Sequence, residues 1–184
     1  MIRLFVAIPI PLDVRDALSR LQSGLPGARW TPRENFHLTL RFIGEVQEPV
    51  LEDIVEALWQ IRAGAFQLSL TGIGAFGGER PRSPARLLYC GVGAGLGLPA
   101  LAARVEDALS RLSVPPPPRK FRPHITLARL KNTPRERLAQ YVQDYNLFST
   151  RAFEADAFFL YESRPGNVAS VYTPLEEFPL LPLT

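Results

Sequence analysis

Two histidines, one cysteine and one methionine are scarce rations for a chain of 184 residues, and each scarcity excludes something. A lone cysteine permits no disulfide within the chain, and Cys90 sits in the apolar run Leu87-Leu88-Tyr89-Cys90, where it reads as a small core residue. That usage fits a reducing compartment, and a cytoplasmic location is expected. No apolar run approaches the roughly 20 residues that a bilayer requires. The opening Met1-Ile2-Arg3-Leu4-Phe5-Val6-Ala7-Ile8-Pro9 is apolar but short, ends in prolines and lacks a small-residue cleavage pattern. It reads as a first strand rather than a signal peptide. Neither histidine has a cysteine or acidic residue at a ligand spacing, so no metal site is expected. The nucleophile elbow G-x-S-x-G of a Ser-His-Asp hydrolase is also missing, and a triad would leave one histidine unexplained.

What remains is ordinary for a soluble globular protein: 46% hydrophobic and 21% charged residues, a net charge of +3 and a pI near 9.3. Mild basicity is compatible with a polyanionic ligand without demanding one. The length suits a single domain over residues 1–184, and nothing in it calls for more than a monomer.

Both histidines open the same tetrapeptide, His37-Leu38-Thr39-Leu40 and His124-Ile125-Thr126-Leu127. Each alternates polar and apolar residues, the period-2 signature of a strand with one buried face. Leu38, Leu40, Ile125 and Leu127 are expected in the core, leaving His37 with Thr39, and His124 with Thr126, side by side on the opposite faces. The surrounding pattern repeats as well. A strand over 2–8 precedes a helix with Val14, Ala17, Leu18 and Leu21 on one face, and the first histidine strand runs over 36–43 to Gly44. A second helix from about Pro49 presents Leu51, Ile54, Val55 and Leu58. Strands follow at 66–71 and 86–92, then a helix from about Pro99 with Leu101, Val105, Leu109 and Leu112. The prolines 115–118 enforce an extended connection before the second histidine strand. Thr133-Pro134-Arg135-Glu136 reads as a capping box for a fourth helix with Leu138, Tyr141 and Val142 inward. Strands at 153–161 and 168–172 precede a proline-punctuated tail. The two motifs lie 87 residues apart (124 − 37), about half the chain. The expected fold is α+β and bilobal. Two pseudo-symmetric lobes, each with an antiparallel sheet and helices, each bring one histidine motif to a shared cleft.

Two glycine clusters compete for attention. Gly72-Ile73-Gly74-Ala75-Phe76-Gly77 matches the G-x-G-x-x-G dinucleotide fingerprint, but the helix that should follow is replaced by Gly78-Glu79-Arg80-Pro81-Arg82-Ser83-Pro84. A flexible loop is expected there, and a strand-to-helix turn at Gly91, Gly93, Gly95 and Gly97.

Paired imidazoles and hydroxyls suit phosphodiester chemistry. In-line displacement at phosphorus puts the entering and leaving oxygens on opposite sides, so one imidazole can take a proton while the other gives one. Thr39 and Thr126 hydroxyls beside them can donate to the non-bridging oxygens as charge builds. At this point the chain resembles the 2′-5′ RNA ligase / RNA 2′,3′-cyclic phosphodiesterase family of two-histidine phosphoesterases. The resemblance covers nearly the full length. It lies in Arg3-Leu4-Phe5-Val6-Ala7-Ile8, in His37 through Arg41-Phe42-Ile43-Gly44-Glu45-Val46, and in Phe121-Arg122-Pro123-His124 through Ala128-Arg129. It continues in Leu160-Tyr161-Glu162-Ser163 and Tyr172-Thr173-Pro174-Leu175. The resemblance implies that His37 is the proton donor and His124 the proton acceptor in hydrolysis of an RNA-terminal 2′,3′-cyclic phosphate to a 2′-phosphate. It also implies 2′-5′ joining as essentially the reverse reaction and no metal or nucleotide cofactor. From the residues alone the two roles are interchangeable.

Several further residues are candidates for substrate contact. Strict alternation puts Arg41 on the His37/Thr39 face and Arg122 on the His124 face, while Arg129 falls on the opposite face unless a bulge intervenes. Phe121, Tyr161 and Phe76 are candidates for stacking on a base, with a place in the core as the alternative for each. Arg80, Arg82, Arg86, Arg119 and Lys120 read as a basic rim for an RNA backbone, or as solvated charge. RNA ends with a 2′,3′-cyclic phosphate, tRNA fragments among them, are the expected partners. The competing expectations are a phosphodiesterase for small nucleotide or ADP-ribose cyclic phosphates and a non-catalytic RNA-binding module, which would have no need of two groups titrating near neutrality.

Overall fold

The computed structural model describes residues 1–78, 83–117 and 120–183. Among these described residues, nine strands and four helices follow in the order β1 (Ile2–Pro9), α1 (Leu12–Ser19), β2 (Ala28–Trp30), β3 (His37–Val46), α2 (Glu48–Trp59), β4 (Phe66–Gly77), β5 (Ala85–Ala94), α3 (Gly97–Ser110), β6 (His124–Leu130), α4 (Arg135–Asp144), β7 (Phe153–Ala155), β8 (Ala157–Arg164) and β9 (Val171–Pro179). A 3-10 turn, Arg33–Asn35, leads into β3. No helix among the described residues is long and apolar enough to cross a membrane.

The strands form two antiparallel sheets, ordered β3-β1-β8-β9 and β2-β6-β5-β4-β7. Setting β2 aside, the orders match position for position: β3, β1, β8, β9 against β6, β5, β4, β7. The α+β architecture with one histidine strand per sheet is therefore present. The lobes are not the two halves of the chain, however. β8 and β9, from the C-terminal end, complete the sheet begun by β1 and β3, while β2 joins β6 in the other.

Residues expected inward are inward. Leu4, Val6 and Ile8 of β1 lie in the core with Val14 and Leu18 of α1, Ile54 and Leu58 of α2, and Leu101, Val105 and Leu109 of α3. Leu38, Leu40, Ile125 and Leu127 are buried, as is Cys90. Five local expectations fail for identifiable reasons. The segment 153–161 is two strands, because the chain passes from one sheet to the other at Asp156, whose carbonyl accepts the Leu180 amide at 2.7 Å. The tail carries β9, whose Pro174 and Pro179 are tolerable because β9 is an edge strand. At three residues, Ala28-Arg29-Trp30, β2 alternates too briefly to announce itself. The capping box does not form, since α4 starts after Pro134 without a side-chain cap. The Thr133 hydroxyl is packed toward Gly27, where an added Cβ would come within 2.8 Å of it, and it is buried without a partner.

The fifth correction concerns the glycines. Gly72 through Gly77 form the end of β4, and Gly91 and Gly93 lie in β5. Gly74 faces Tyr89 across the β4–β5 pair, and a Cβ there would stand 2.5 Å from the Tyr89 hydroxyl. Its bare backbone lets the Tyr89 ring lie over the strand and stack on Phe76, with centroids 4.3 Å apart. The fingerprint is thus a bed for an aromatic ring.

One irregularity occurs twice. In the β1–β3 pair Val6 faces Arg41 and Ala7 faces Thr39, so Leu40 is extra. In the β5–β6 pair Leu88 faces Ala128 and Tyr89 faces Thr126, so Leu127 is extra. Each bulge falls three residues after the histidine and reverses the side-chain alternation beyond it. Because Leu127 is fully enclosed at this bulge, Leu127→Ala should lower unfolding free energy by about 2–5 kcal/mol. Urea denaturation monitored by circular dichroism checks this, and a change under about 1 kcal/mol would contradict the packing described.

Candidate active site

β3 and β6 belong to different sheets yet lie against each other, which brings the two motifs together. His37, Thr39, Thr126 and Arg129 line one cavity of about 260 Å³. His124, Thr39, Phe121 and Arg122 line a second, of about 640 Å³. Thr39 and Phe42 are common to both, so the imidazoles open onto adjoining parts of one cleft.

Each ring is held the same way. His37 Nδ1 lies 2.7 Å from the Asn35 carbonyl and His124 Nδ1 lies 2.7 Å from the Arg122 carbonyl, both two residues back. A carbonyl only accepts, so Nδ1 carries the hydrogen in both rings, and Nε2 is left as the nitrogen that can take or give a proton. Asn35 is itself anchored, its buried side-chain amide donating to the Ser170 carbonyl at 2.7 Å. That ties the turn before β3 to the loop between β8 and β9.

Aromatic rings wall both sides. Phe5 packs against His37 at 4.8 Å and Tyr172 meets it edge-on at 5.2 Å, while Tyr161 stacks on Phe5 at 5.2 Å. Across the cleft Phe76 meets His124 edge-on at 4.9 Å, Tyr89 stands at 5.9 Å, and the Arg122 guanidinium sits 4.5 Å over the Phe76 ring. This enclosure favours uncharged imidazole. Burial pushes His37 down to about 4, with the charge of His124 acting in the same direction and the Asn35 bond opposing it. Burial also lowers His124, opposed by its bond to the Arg122 carbonyl and reinforced by the Arg122 charge. Among the described residues no group of three or more His, Cys, Asp and Glu side chains is placed to hold a metal ion.

The bulges redistribute the arginines. Arg41, expected beside His37 and Thr39, is only 5% exposed and reaches the cleft only as part of the wall of the larger cavity. Its Nε donates to Glu106 at 2.6 Å, and its other nitrogens donate to the Phe42 and Pro115 carbonyls. It therefore ties β3 to α3 and to the proline segment, with each of its three nitrogens bonded to protein oxygen. Arg129, expected on the far face, is returned to the cleft and is exposed there. Arg122 lies where alternation put it, beside His124, and Phe121, a candidate for stacking, lines the same cavity. Phe76 also stands at His124, whereas Tyr161 belongs to the wall behind His37. Arg86 and Lys120 are exposed; Arg80, Arg82 and Arg119 lie outside the described residues. Sequence reasoning missed Asn35, Tyr172, Tyr89 and the wall position of Phe5. Only Asn35 left a trace, as a polar residue just ahead of the apolar-alternating strand.

Comparison with known proteins completes the description. The model of the LigT like Phosphoesterase family matches residues 8–85 and 95–171. An RNA 2′,3′-cyclic phosphodiesterase of Aeropyrum pernix is 44% identical over 119 residues, a match spanning 64% of each chain. One of Archaeoglobus fulgidus is 32% identical over 96% of this chain and 99% of its own. The crystal structure of E. coli LigT complexed with 3′-AMP superposes with a TM-score of 0.76 at 27% identity, covering 97% of this chain and 98% of LigT. With both histidine strands inside the matched segments, the chain belongs to the LigT-like phosphoesterase family.

Proposed function

We propose that this protein is an RNA 2′,3′-cyclic phosphodiesterase that works by acid-base catalysis between His37 and His124, without a metal or cofactor. The observation that carries the reading is the matched pair of tethered imidazoles, each with Nε2 free toward a cleft lined by Thr39 and Thr126. The activity printed for the relatives of Aeropyrum pernix and Archaeoglobus fulgidus supports the substrate class.

In this mechanism His124 Nε2 takes a proton from water as its oxygen bonds to phosphorus. The bond from phosphorus to the 3′-oxygen breaks, and His37 Nε2–H protonates that oxygen, leaving a 2′-phosphomonoester. The net result adds water and leaves the pair one proton transfer from its starting state. Thr39 and Thr126 hydroxyls and the Arg129 guanidinium steady the non-bridging oxygens, each hydroxyl contributing about 1–3 kcal/mol to the transition state. With an RNA 5′-hydroxyl in place of water, the same displacement forms the bond from that oxygen to phosphorus, breaks the bond to the 3′-oxygen and makes a 2′-5′ linkage. The lone buried cysteine and the presence of both motifs in one chain support a monomer acting in a reducing cytoplasm. A second reading, a phosphodiesterase for small nucleotide or ADP-ribose cyclic phosphates, draws support from the mononucleotide held by E. coli LigT.

His37→Ala and His124→Ala are each expected to lower kcat by about 10²–10⁴-fold, and the double variant by little more than the worse single one, because both act as a unit in one displacement at phosphorus. Assay on an oligonucleotide ending in a 2′,3′-cyclic phosphate, with the product phosphate located by NMR, checks both numbers and regiochemistry. Full activity in the double variant, or complete loss on adding EDTA, would overturn the mechanism.

The pH dependence has a defined sign. Both imidazoles titrate below the usual 6.5 in the free enzyme, so its singly protonated form is most populated on the acid side of that value. The bell of kcat/KM should therefore peak below pH 6.5. A bound phosphate anion favours imidazolium, so the bell of kcat should lie at higher pH than that of kcat/KM. Coincident bells centred above pH 7 would contradict this.

A further inference from the structure

A third cavity, of about 340 Å³, continues the catalytic one along β2 and the loop between β8 and β9. Thr31, Asn35, Arg129, Ser170 and Tyr172 line both, so the two are one continuous space. Its far wall carries Arg29, the direct cross-strand partner of Arg129 in the β2–β6 pair. Directly opposed residues of an antiparallel pair put their side chains on one face with Cβ atoms about 4.5–5.5 Å apart. Two guanidinium groups so placed repel each other, and like charges in this position destabilise a sheet. Both are exposed, and among the described residues neither has an ion pair or hydrogen bond to offset that repulsion. The contrast with Arg41 is sharp, since each of its three nitrogens donates to a protein oxygen.

The position of this pair is as informative as its charge. β2 is the one strand without a counterpart in the other sheet, where β3 is left as an edge. The catalytic residues are nearly symmetric and define no direction along a substrate, whereas β2 adds positive charge on one side only.

We propose that Arg29, with Arg129, forms a second anion subsite that takes the phosphodiester on the 5′ side of the terminal nucleotide while the cyclic phosphate occupies the space between the histidines. The inference rests on the RNA-end reading and deepens it. A nucleoside cyclic phosphate with a free 5′-hydroxyl has nothing to place in the subsite. A nucleotide with a 5′-phosphate, or an oligonucleotide, fills it and relieves the repulsion of the pair. Arg29 thereby selects chain ends over free nucleosides, and it touches none of the reacting atoms.

The test compares wild type, Arg29→Ala and Arg29→Lys on adenosine 2′,3′-cyclic phosphate, on its 5′-phosphorylated form and on a short oligonucleotide with the same end. Arg29→Ala should lose about tenfold in kcat/KM on the last two and less than twofold on the first, with Arg29→Lys recovering part of the loss. The wild-type preference should also shrink as salt is raised. Equal losses on all three substrates, or no loss on any, would overturn the proposal, as would the selective loss appearing in Arg122→Ala instead of Arg29→Ala. Calorimetric binding of adenosine 2′-phosphate and adenosine 2′,5′-bisphosphate supplies an arm independent of turnover. Wild type should bind the bisphosphate more tightly, and Arg29→Ala should erase the difference. If wild type turns over none of the three substrates, the RNA-end reading fails, and the binding difference alone then upholds or overturns the subsite.

Discussion

The hydrogen bond from each histidine Nδ1 to the backbone carbonyl two residues earlier is the constraint on which the site depends. It fixes the tautomer and the tilt of both rings with one economical contact, and it does so from the segment that leads into the strand carrying the ring. Such a bond leaves one nitrogen per ring for chemistry and makes the two rings interchangeable in principle. The surroundings then make them differ. The ring of His37 is enclosed by Phe5 and Tyr172 and is pushed furthest from its charged form, while His124 sits beneath Phe76 with a guanidinium close by. A pair of groups that resist carrying charge together is suited to holding a single proton between them.

The histidine strands were legible in the sequence because period-2 alternation is a short-range property, and it holds for the four residues of each motif. It fails at the fifth because a bulge adds a residue that no alternation rule anticipates. In β6 the apolar doublet Leu127-Ala128 is the visible trace of that addition. In β3 the same place is taken by Arg41, whose charge disguises a buried position satisfied by Glu106 and two carbonyls. The two arginines consequently exchange burial relative to simple alternation, and the one left exposed in the cleft is the one that alternation sends away.

Architecture was legible at the level of class and of motif placement, less so in connectivity. Residues 153–157 alternate apolar and polar side chains and run on into the apolar Phe158-Phe159-Leu160-Tyr161, so no glycine or proline marks the passage between sheets at Asp156. The glycines of β4 carried a misleading signal for a related reason. A glycine needed because a tyrosine ring lies over it looks, in sequence, the same as one needed for the approach of a pyrophosphate. Both demands are for absence of a side chain, and only the partner strand tells them apart.

The interleaving of the sheets has a consequence for how the chain acquires its structure. Phe5 of β1 is paired with Tyr161 of β8, 156 positions later (161 − 5), so the first strand emerges long before its second neighbour exists. Until then β1 has only β3 beside it, and a two-stranded ribbon is marginal in water. Closing so long a loop is slow, which puts this lobe among topologies dominated by distant pairings. During synthesis the sheet built on β4, β5 and β6 can form first. The cleft takes shape only when the last strands arrive, so a chain cut short before β8 would have both histidines and nowhere to bring them together.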